Sequence, residues 1–196
     1  FQRNPAGEEP DLASGDGGFA LVGTSSAPLY SNLQTPAGRE ELSLDEPVGA
    51  LLSEPGTEIY AFRERPGDET SCLNLYRPSE PRILGAPREF TERGGFSWAG
   101  SLASSSEEQE NPWKILERQD WPDGVVPAIG DQNTVLWILQ SGLGKDLSIR
   151  NGAGHDTKLR IVGLLSNSLL QGALVVDSAA FENLFPARRG WSSFFI

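Results

Sequence analysis

The chain has 196 residues, of which 38% are hydrophobic and 22% charged, and its 27 Asp and Glu outnumber its 16 Lys and Arg. These proportions are typical of a soluble globular protein that can bury a real core, as one domain or as two small ones. The net charge of −11 argues against a nucleic acid partner, because binding to phosphates requires Lys and Arg. No apolar run reaches the roughly 18 residues that a transmembrane helix needs.

The acidic charge is concentrated in the first two thirds of the chain. Residues 1–124 carry 10 Lys and Arg against 22 Asp and Glu (net −12), and residues 125–196 carry 6 against 5 (net +1), which together give −11.

The single cysteine, Cys72, excludes an internal disulfide and a thiolate metal cluster, and we interpret it as a small buried hydrophobe. The chain starts at Phe1 without a signal-peptide pattern and has no methionine, so we expect a segment of a longer protein.

The N-terminal third predicts a flexible start followed by two strands. Residues 1–18 are polar and rich in Gly, Pro and acidic residues, a composition typical of a flexible segment. The apolar run GFALVGT at 18–24 predicts the first strand, and TPAG at 35–38 predicts a turn. The alternating run TEIYAFR at 57–63 predicts a second strand with Tyr60 and Phe62 on one face.

The middle of the chain has the composition of loops. Residues 71–76 predict a further strand, and the Pro-rich passage at 77–90 predicts an extended loop. The acidic, low-complexity segment SLASSSEEQE at 101–110 predicts a mobile loop. Trp98, Trp113 and Trp121 lie around that segment. Two interpretations stay open for them, a small satellite core or a partner-binding surface.

The last third, residues 125–196, predicts the folded framework. Apolar runs predict five strands, at 125–129, 146–150, 158–165, 173–176 and 192–196. The segment NGAG at 151–154 predicts a hairpin between the second and third of them, because Asn and Gly tolerate a positive φ.

Two short helices are predicted between these strands. The first, at 133–140, would be capped by Asp131 or Asn133 and ended by a left-handed glycine at position 142. The second, at 178–184, would be capped by Asp177 or Ser178 and ended by Pro186. The order of elements predicts an α+β fold, a mixed sheet with helices packed on one face.

The residues needed for catalysis or metal binding are sparse. The only histidine, His155, lies in a Gly-rich hairpin loop, where a solvated side chain is expected, and one His with one Cys cannot form the usual zinc sites. The run GLGK at 142–145 lacks the earlier glycine of a phosphate-binding loop, and Asp146 stands where that loop has Ser or Thr. We therefore predict no enzymatic activity, no cofactor and no metal.

Three passages of the last third resemble the extracytoplasmic domain of FtsX-like (MacB-type) ABC transporter permeases. The first passage is VPAIGD at 126–131, together with the following apolar helix and LGKDLSI at 143–149. The second is LRIVGLL at 159–165. The third is LVVD at 174–177, together with the closing segment to residue 196. The run GGFALVGTSSAPLY at 17–30 fits the first strand of such a domain. The resemblance covers residues 125–196 best.

This resemblance implies a fold and a function. It implies a porter-like subdomain built from residues 1–62 and 125–196, with a smaller, loop-rich inserted lobe at 63–124. It implies a non-enzymatic domain of an inner-membrane protein, located in the periplasm, that transmits ATP-driven motion to an external substrate or partner protein. The implied partners are a cytoplasmic ATPase subunit and a second permease copy, as a homodimer or a pair. The alternative is a secreted peptide- or glycan-binding module that uses Trp98, Trp113 and Trp121.

Overall fold

The computed structural model of the protein describes residues 2–3, 11–44, 46–67, 81–122 and 124–196. Within these ranges the chain forms ten strands: β1 (Gln2–Arg3), β2 (Leu21–Leu29), β3 (Tyr60–Arg65), β4 (Arg82–Ala86), β5 (Trp98–Ser101), β6 (Val125–Asp131), β7 (Asp146–Arg150), β8 (Asp156–Leu165), β9 (Ala173–Asp177) and β10 (Trp191–Phe195). The helices are α1 (Pro36–Glu41), α2 (Glu46–Leu51), α3 (Arg88–Arg93), α4 (Ser106–Glu110), a 3-10 helix (Pro112–Glu117), a π-helix (Thr134–Ile138) and α5 (Ser178–Leu184). None of these helices combines the length and the apolar character needed to cross a membrane.

All ten strands belong to one mixed sheet. Nine of them follow the order β1-β2-β10-β3-β4-β9-β6-β8-β5, and the tenth, β7, pairs with β8 off this path. The pairs β4–β9 and β6–β8 are parallel, and the other pairs are antiparallel. Strand β8 is long enough for two partners along one edge: β7 pairs with its first half and β5 with its last residues. The predicted α+β class and mixed sheet are confirmed.

The sheet buries apolar side chains on both faces, because successive residues of a strand point to opposite sides. Ile83 of β4 belongs to one buried cluster and its neighbour Leu84 to the other. The π-helix and α5 cover the first face through Val135 and Phe181. The two helices predicted for the last third therefore pack on the same face, as expected. The second face is covered by α3, the 3-10 helix and the aromatic residues around them.

The last third follows the sequence-based prediction closely. All five strands form, with ends that differ from the prediction by at most two residues. Helix α5 spans Ser178–Leu184 as predicted, with the Asp177 carboxylate accepting hydrogen bonds from two backbone N–H groups of its first turn. The hairpin between β7 and β8 is confirmed, and the side chain of Asn151 accepts hydrogen bonds from the backbone N–H groups of Ala153 and His155.

One helix of the last third differs from its prediction. The segment predicted as a helix over 133–140 contains a π-helix of five residues, and the left-handed residue after it is Gln140 (φ 48°) rather than the glycine at 142. The Asp131 carboxylate accepts a hydrogen bond from the N–H of Asn133, and it also accepts two from Ser168. This buried aspartate therefore holds the start of the helix against the turn that precedes β9.

The prediction of loops was wrong for several parts of the first two thirds. Residues 35–38 form the start of α1 instead of a turn, because Thr35 caps the helix and Pro36 occupies its first position. The 77–90 passage contains β4 and begins α3, and the acidic 101–110 segment contains α4. The described part of the predicted flexible start, 11–18, is held by contacts such as the hydrogen bond from Arg93 Nη1 to the Gly17 carbonyl (2.8 Å). The strand predicted at 71–76 lies outside the described residues.

The boundary between a subdomain (1–62 and 125–196) and an inserted lobe (63–124) stays a prediction. The described part of the 63–124 segment contributes β4 and β5 to the common sheet. It also contributes Phe90 and Trp113 to the same buried cluster as Phe62 and Val162.

Candidate partner-binding surface around Trp98

Trp113 is the centre of an aromatic core. Its side chain is 0% exposed, and its ring lies 4.9 Å from Phe90 and 5.6 Å from Phe96, both in edge-on geometry. Edge-to-face contacts of this kind add to the free energy gained by burying the rings. Trp113 therefore has no surface that a partner could contact in the folded protein, which leaves Trp98 and Trp121 of the three candidate residues.

Trp98 and Trp113 are held by the same backbone carbonyl. The indole Nε1 of each donates a hydrogen bond to the oxygen of Gly95, at 3.3 Å for Trp98 and 3.2 Å for Trp113. Gly95 and Phe96 both have positive φ angles (91° and 72°), a rare conformation for Phe that turns this carbonyl towards the rings. The two indoles lie 5.3 Å apart at 70°, so Trp98 is fixed against the core while one side of it stays accessible.

A groove of about 430 Å³ lies beside Trp98. It is bounded by Leu12, which is 50% exposed, and by residues of β5 and the end of α4. The N–H of Phe96 donates a hydrogen bond to the Leu12 carbonyl, so the N-terminal segment forms one wall of the groove. Strand β5 is at an edge of the sheet, and Trp98 is only half-buried beside this groove, whereas Trp113 is fully buried.

Trp121 packs between two arginines rather than beside Trp98. The guanidinium groups of Arg118 and Arg160 lie 5.2 and 5.9 Å from its ring centroid, within the range of cation–π attraction. Its Nε1 is buried and has no hydrogen-bond partner among the described residues. The structure therefore brings Trp98 and Trp113 into contact, and Trp121 packs against the same buried cluster beside two arginines.

Each of these two arginines is also paired with a carboxylate. Arg118 contacts Glu108 through Nε (3.0 Å) and Nη2 (2.5 Å), and hydrogen bonds from Arg118 and from the Ser104 and Ser105 backbone lower the pKa of Glu108 to about 2. Arg160 forms a bidentate ion pair with Asp146, from Nε to Oδ1 at 2.7 Å and from Nη2 to Oδ2 at 3.0 Å. These hydrogen bonds lower the pKa of Asp146. Both carboxylates stay ionised at neutral pH, so neither is suited to act as a proton donor.

The described residues contain no group of three or more His, Cys, Asp or Glu that could hold a metal ion. His155 is exposed in the β7–β8 hairpin, where its backbone N–H, rather than its ring, is fixed by Asn151. Cys72 lies outside the described residues.

Two surface features were not predicted from the sequence. Trp137 and Ile138 of the π-helix are 76% and 46% exposed. A signal existed, because TVLWIL at 134–139 is apolar at five successive positions and a helix packed on a sheet can bury only one side of such a run. The second feature is a pocket beside Arg188 and Arg189, which depends on the pairing of β2 with β10 and had no local signal.

No protein-family model matches the chain, and no curated protein matches it at a significant level. Among solved structures, the chain is similar to the periplasmic region of MacB from Actinobacillus actinomycetemcomitans, with 10% sequence identity and a TM-score of 0.41. The similarity covers 89% of this chain and 72% of that chain. This likeness concerns the fold alone.

Proposed function

We propose that the chain is the extracytoplasmic domain of an FtsX-like, MacB-type ABC transporter permease. In this role it performs no chemistry itself. It transmits movement, driven by a cytoplasmic ATPase subunit, to a substrate or partner protein outside the membrane. The permease works as a homodimer or a pair, and this domain faces the periplasm. The sequence motifs at 126–131, 143–149, 159–165 and 174–196 support this family.

The structural observation that carries the proposal is the contact between the two ends of the sheet framework. The first strand, β1, pairs with the start of β2, and β2 in turn pairs antiparallel with β10, the last strand, which ends at Phe195. The Leu21 N–H donates to the Ile196 carbonyl at 3.1 Å, and the Ile196 N–H donates to the Leu21 carbonyl at 3.0 Å. A domain inserted between two consecutive membrane helices needs this arrangement, because the chain must leave and return at one place.

The same strand pair suits the transmission of movement. A displacement of either flanking segment would act on β2 or β10, which are joined to each other and, through β3, to the rest of the sheet. Strand directions place the end of β6, followed by exposed Trp137, at the end of the sheet opposite Leu21 and Ile196. An external partner would dock at that distant end.

The experiment is site-specific labelling of the native, full-length gene product in cells. Every native cysteine of the gene product, Cys72 among them, is replaced by Ser, and a new cysteine is placed at the exposed hairpin residue Ala153. We expect Ala153→Cys to fractionate with the membrane and to react with a membrane-impermeant maleimide added to intact cells or spheroplasts. We also expect an ATPase subunit to copurify with the solubilised protein.

The control is the protein with its native cysteines replaced and without the new cysteine, which must remain unlabelled. Labelling of Ala153→Cys only after the cells are permeabilised would place the domain on the cytoplasmic side and contradict the proposal. Release of the gene product as a soluble chain would contradict it as well, and would favour a binding module that uses the Trp98 groove.

A further inference from the structure

The pairing of β2 with β10 is interrupted by a large bulge. Ser193 lies opposite Thr24, but Trp191 lies opposite Leu29. An advance of two residues along β10 therefore corresponds to an advance of five residues along β2. Strand β2 has three extra residues here, which are displaced from the regular ladder of paired residues. Bulges of this kind bend a strand and redirect its side chains. Here the displaced part of β2 borders a pocket of about 660 Å³.

The loop after α5 places two arginines at this pocket. Gly190 has a φ of 81°, and a Cβ atom at this position would lie 2.8 Å from the Leu29 carbonyl oxygen. A side chain is therefore excluded there, and the loop is packed directly against the end of β2. Arg188 and Arg189, just before Gly190, are exposed and line the pocket, and no carboxylate pairs with either of them among the described residues.

The other charges of the pocket cancel each other. Arg82 and Glu64 both line the pocket, and they form a bidentate ion pair with each other. Because this pair has no net charge, the described lining residues carry a net charge of +2, which comes from Arg188 and Arg189. This sign is unusual for a chain with a net charge of −11. Thr24, Ser26 and Ser192, which carry hydroxyl groups, also line the pocket.

We propose that this pocket, formed by the β2 bulge and the loop with Arg188 and Arg189, is a binding site for an oxyanion of the phosphate type. Guanidinium groups offer paired N–H donors that match the oxygens of such an anion. Serine and threonine hydroxyls supply further donors. The inference goes beyond the proposed permease function and does not depend on it, because the site can be tested on the isolated 196-residue chain.

The test is a titration of the chain with inorganic phosphate at low ionic strength, followed by amide chemical shifts and by calorimetry. We expect saturable binding with shift changes at Thr24, Gly190 and Ser192, and weaker binding as salt is added. The double variant Arg188→Gln/Arg189→Gln should bind at least about tenfold more weakly, because each lost charged hydrogen bond is expected to cost about that factor. The matched control is Lys145→Gln/Arg150→Gln, which removes the same charge from exposed residues elsewhere and should bind as the unmodified chain does.

Equal phosphate affinity in the two double variants would overturn the proposal, as would shift changes spread over all basic residues without saturation. Thermal melting of both variants shows whether each is folded, so a loss of binding is read only from folded protein. A second arm uses vesicles that contain phosphatidylglycerol. Sedimentation with these vesicles that is lost in Arg188→Gln/Arg189→Gln assigns the oxyanion to a lipid headgroup, and phosphate binding without sedimentation assigns it to a soluble ligand.

Discussion

Arg82 on β4 donates two hydrogen bonds to the Glu64 carboxylate on β3, from Nε to Oε1 at 2.8 Å and from Nη2 to Oε2 at 3.0 Å. The hydroxyl of Ser193 on β10 joins them: it donates to Glu64 Oε2 at 2.7 Å and accepts from Arg82 Nη2 at 2.9 Å. Burial raises the pKa of Glu64, but the hydrogen bonds from Arg82 and Ser193 outweigh it, and the net pKa is lower than usual. Three strands of the sheet are thus connected through one charged group.

Replacing Glu64 with Gln should lower the free energy of unfolding by about 1–3 kcal/mol, because it leaves the partly buried Arg82 without its counter-charge. The measurement is urea unfolding at neutral pH. Ser193→Ala should cost about 1–2 kcal/mol, because its hydroxyl makes two hydrogen bonds, one with Glu64 and one with Arg82. The control is Glu92→Gln, which breaks the exposed Arg88–Glu92 pair and should change stability by less than about 0.5 kcal/mol. If Glu64→Gln were as mild as Glu92→Gln, the three-strand connection would have no energetic role.

The stability contributed by Glu108 should disappear in acid. Its pKa is about 2 in the folded protein, against an ordinary value of 4.5, chiefly because Arg118 donates hydrogen bonds to it. A depressed folded pKa stabilises the protein above the unfolded value of 4.5, and this contribution is lost as the pH falls from there towards 2. Because solvent screens part of this interaction, Glu108→Gln should unfold more easily at pH 7 by about 1–2 kcal/mol, and the difference from the unmodified chain should vanish near pH 2.

The comparison is a series of thermal or urea unfolding curves between pH 2 and pH 7. Glu107→Gln is the matched control, since Glu107 is 77% exposed at its side chain and contacts Lys114 only at 3.6 Å. That variant should differ little from the unmodified chain at any pH. A stability difference for Glu108→Gln that did not change with pH would show that the ionised carboxylate is not what stabilises this region.

Elements whose signals are local could be predicted from the sequence, and elements held by distant contacts could not. Helix α5 was placed correctly because Asp177 caps it and Pro186 follows it. The segment containing α4 was interpreted as a mobile acidic loop, although Ser105 and Glu108 form a capping box, a pattern that can be read from spacing alone. What the sequence did not show is that Glu108 meets Arg118, ten residues later, and becomes buried.

The tryptophan surface illustrates the same limit. Composition showed that aromatic residues gather around residues 98–121, but not which of them would be inside. Trp113 is buried because α3 and the 3-10 helix close over one face of the sheet, and this depends on β4 pairing with β9, about 90 residues later in the chain. The pocket at Arg188 depends in a similar way on the bulge between β2 and β10.

Adding a single methyl group at Gly163 should destabilise the sheet. A Cβ atom there would lie 2.7 Å from Cζ3 of Trp98 and 3.0 Å from Cγ1 of Ile129, so Gly163→Ala must displace one of these packed side chains. We expect a loss of about 1–3 kcal/mol in the free energy of unfolding, together with shifted side-chain resonances of Trp98. The control is Gly49→Ala in α2, where the added Cβ meets nothing within 4 Å and where Ala favours the helix by about 0.5–1 kcal/mol. A Gly163→Ala protein as stable as the unmodified chain would mean that Trp98 can move away from β8.

Replacement by alanine should destabilise the protein strongly at Trp113 and hardly at all at Trp137. Trp113→Ala removes a ring that is 0% exposed and leaves a cavity among Phe90, Phe96 and Trp98, which should cost about 3–5 kcal/mol. Trp137→Ala removes a ring that is 76% exposed and should change stability by no more than about 0.5 kcal/mol. The measurement is urea unfolding of both variants, with binding of the proposed partner protein assayed in parallel. Loss of partner binding in folded Trp137→Ala would identify the π-helix as the docking surface, whereas loss confined to Trp98→Ala would identify the groove beside β5. A Trp113→Ala protein of full stability would contradict the burial on which this contrast depends.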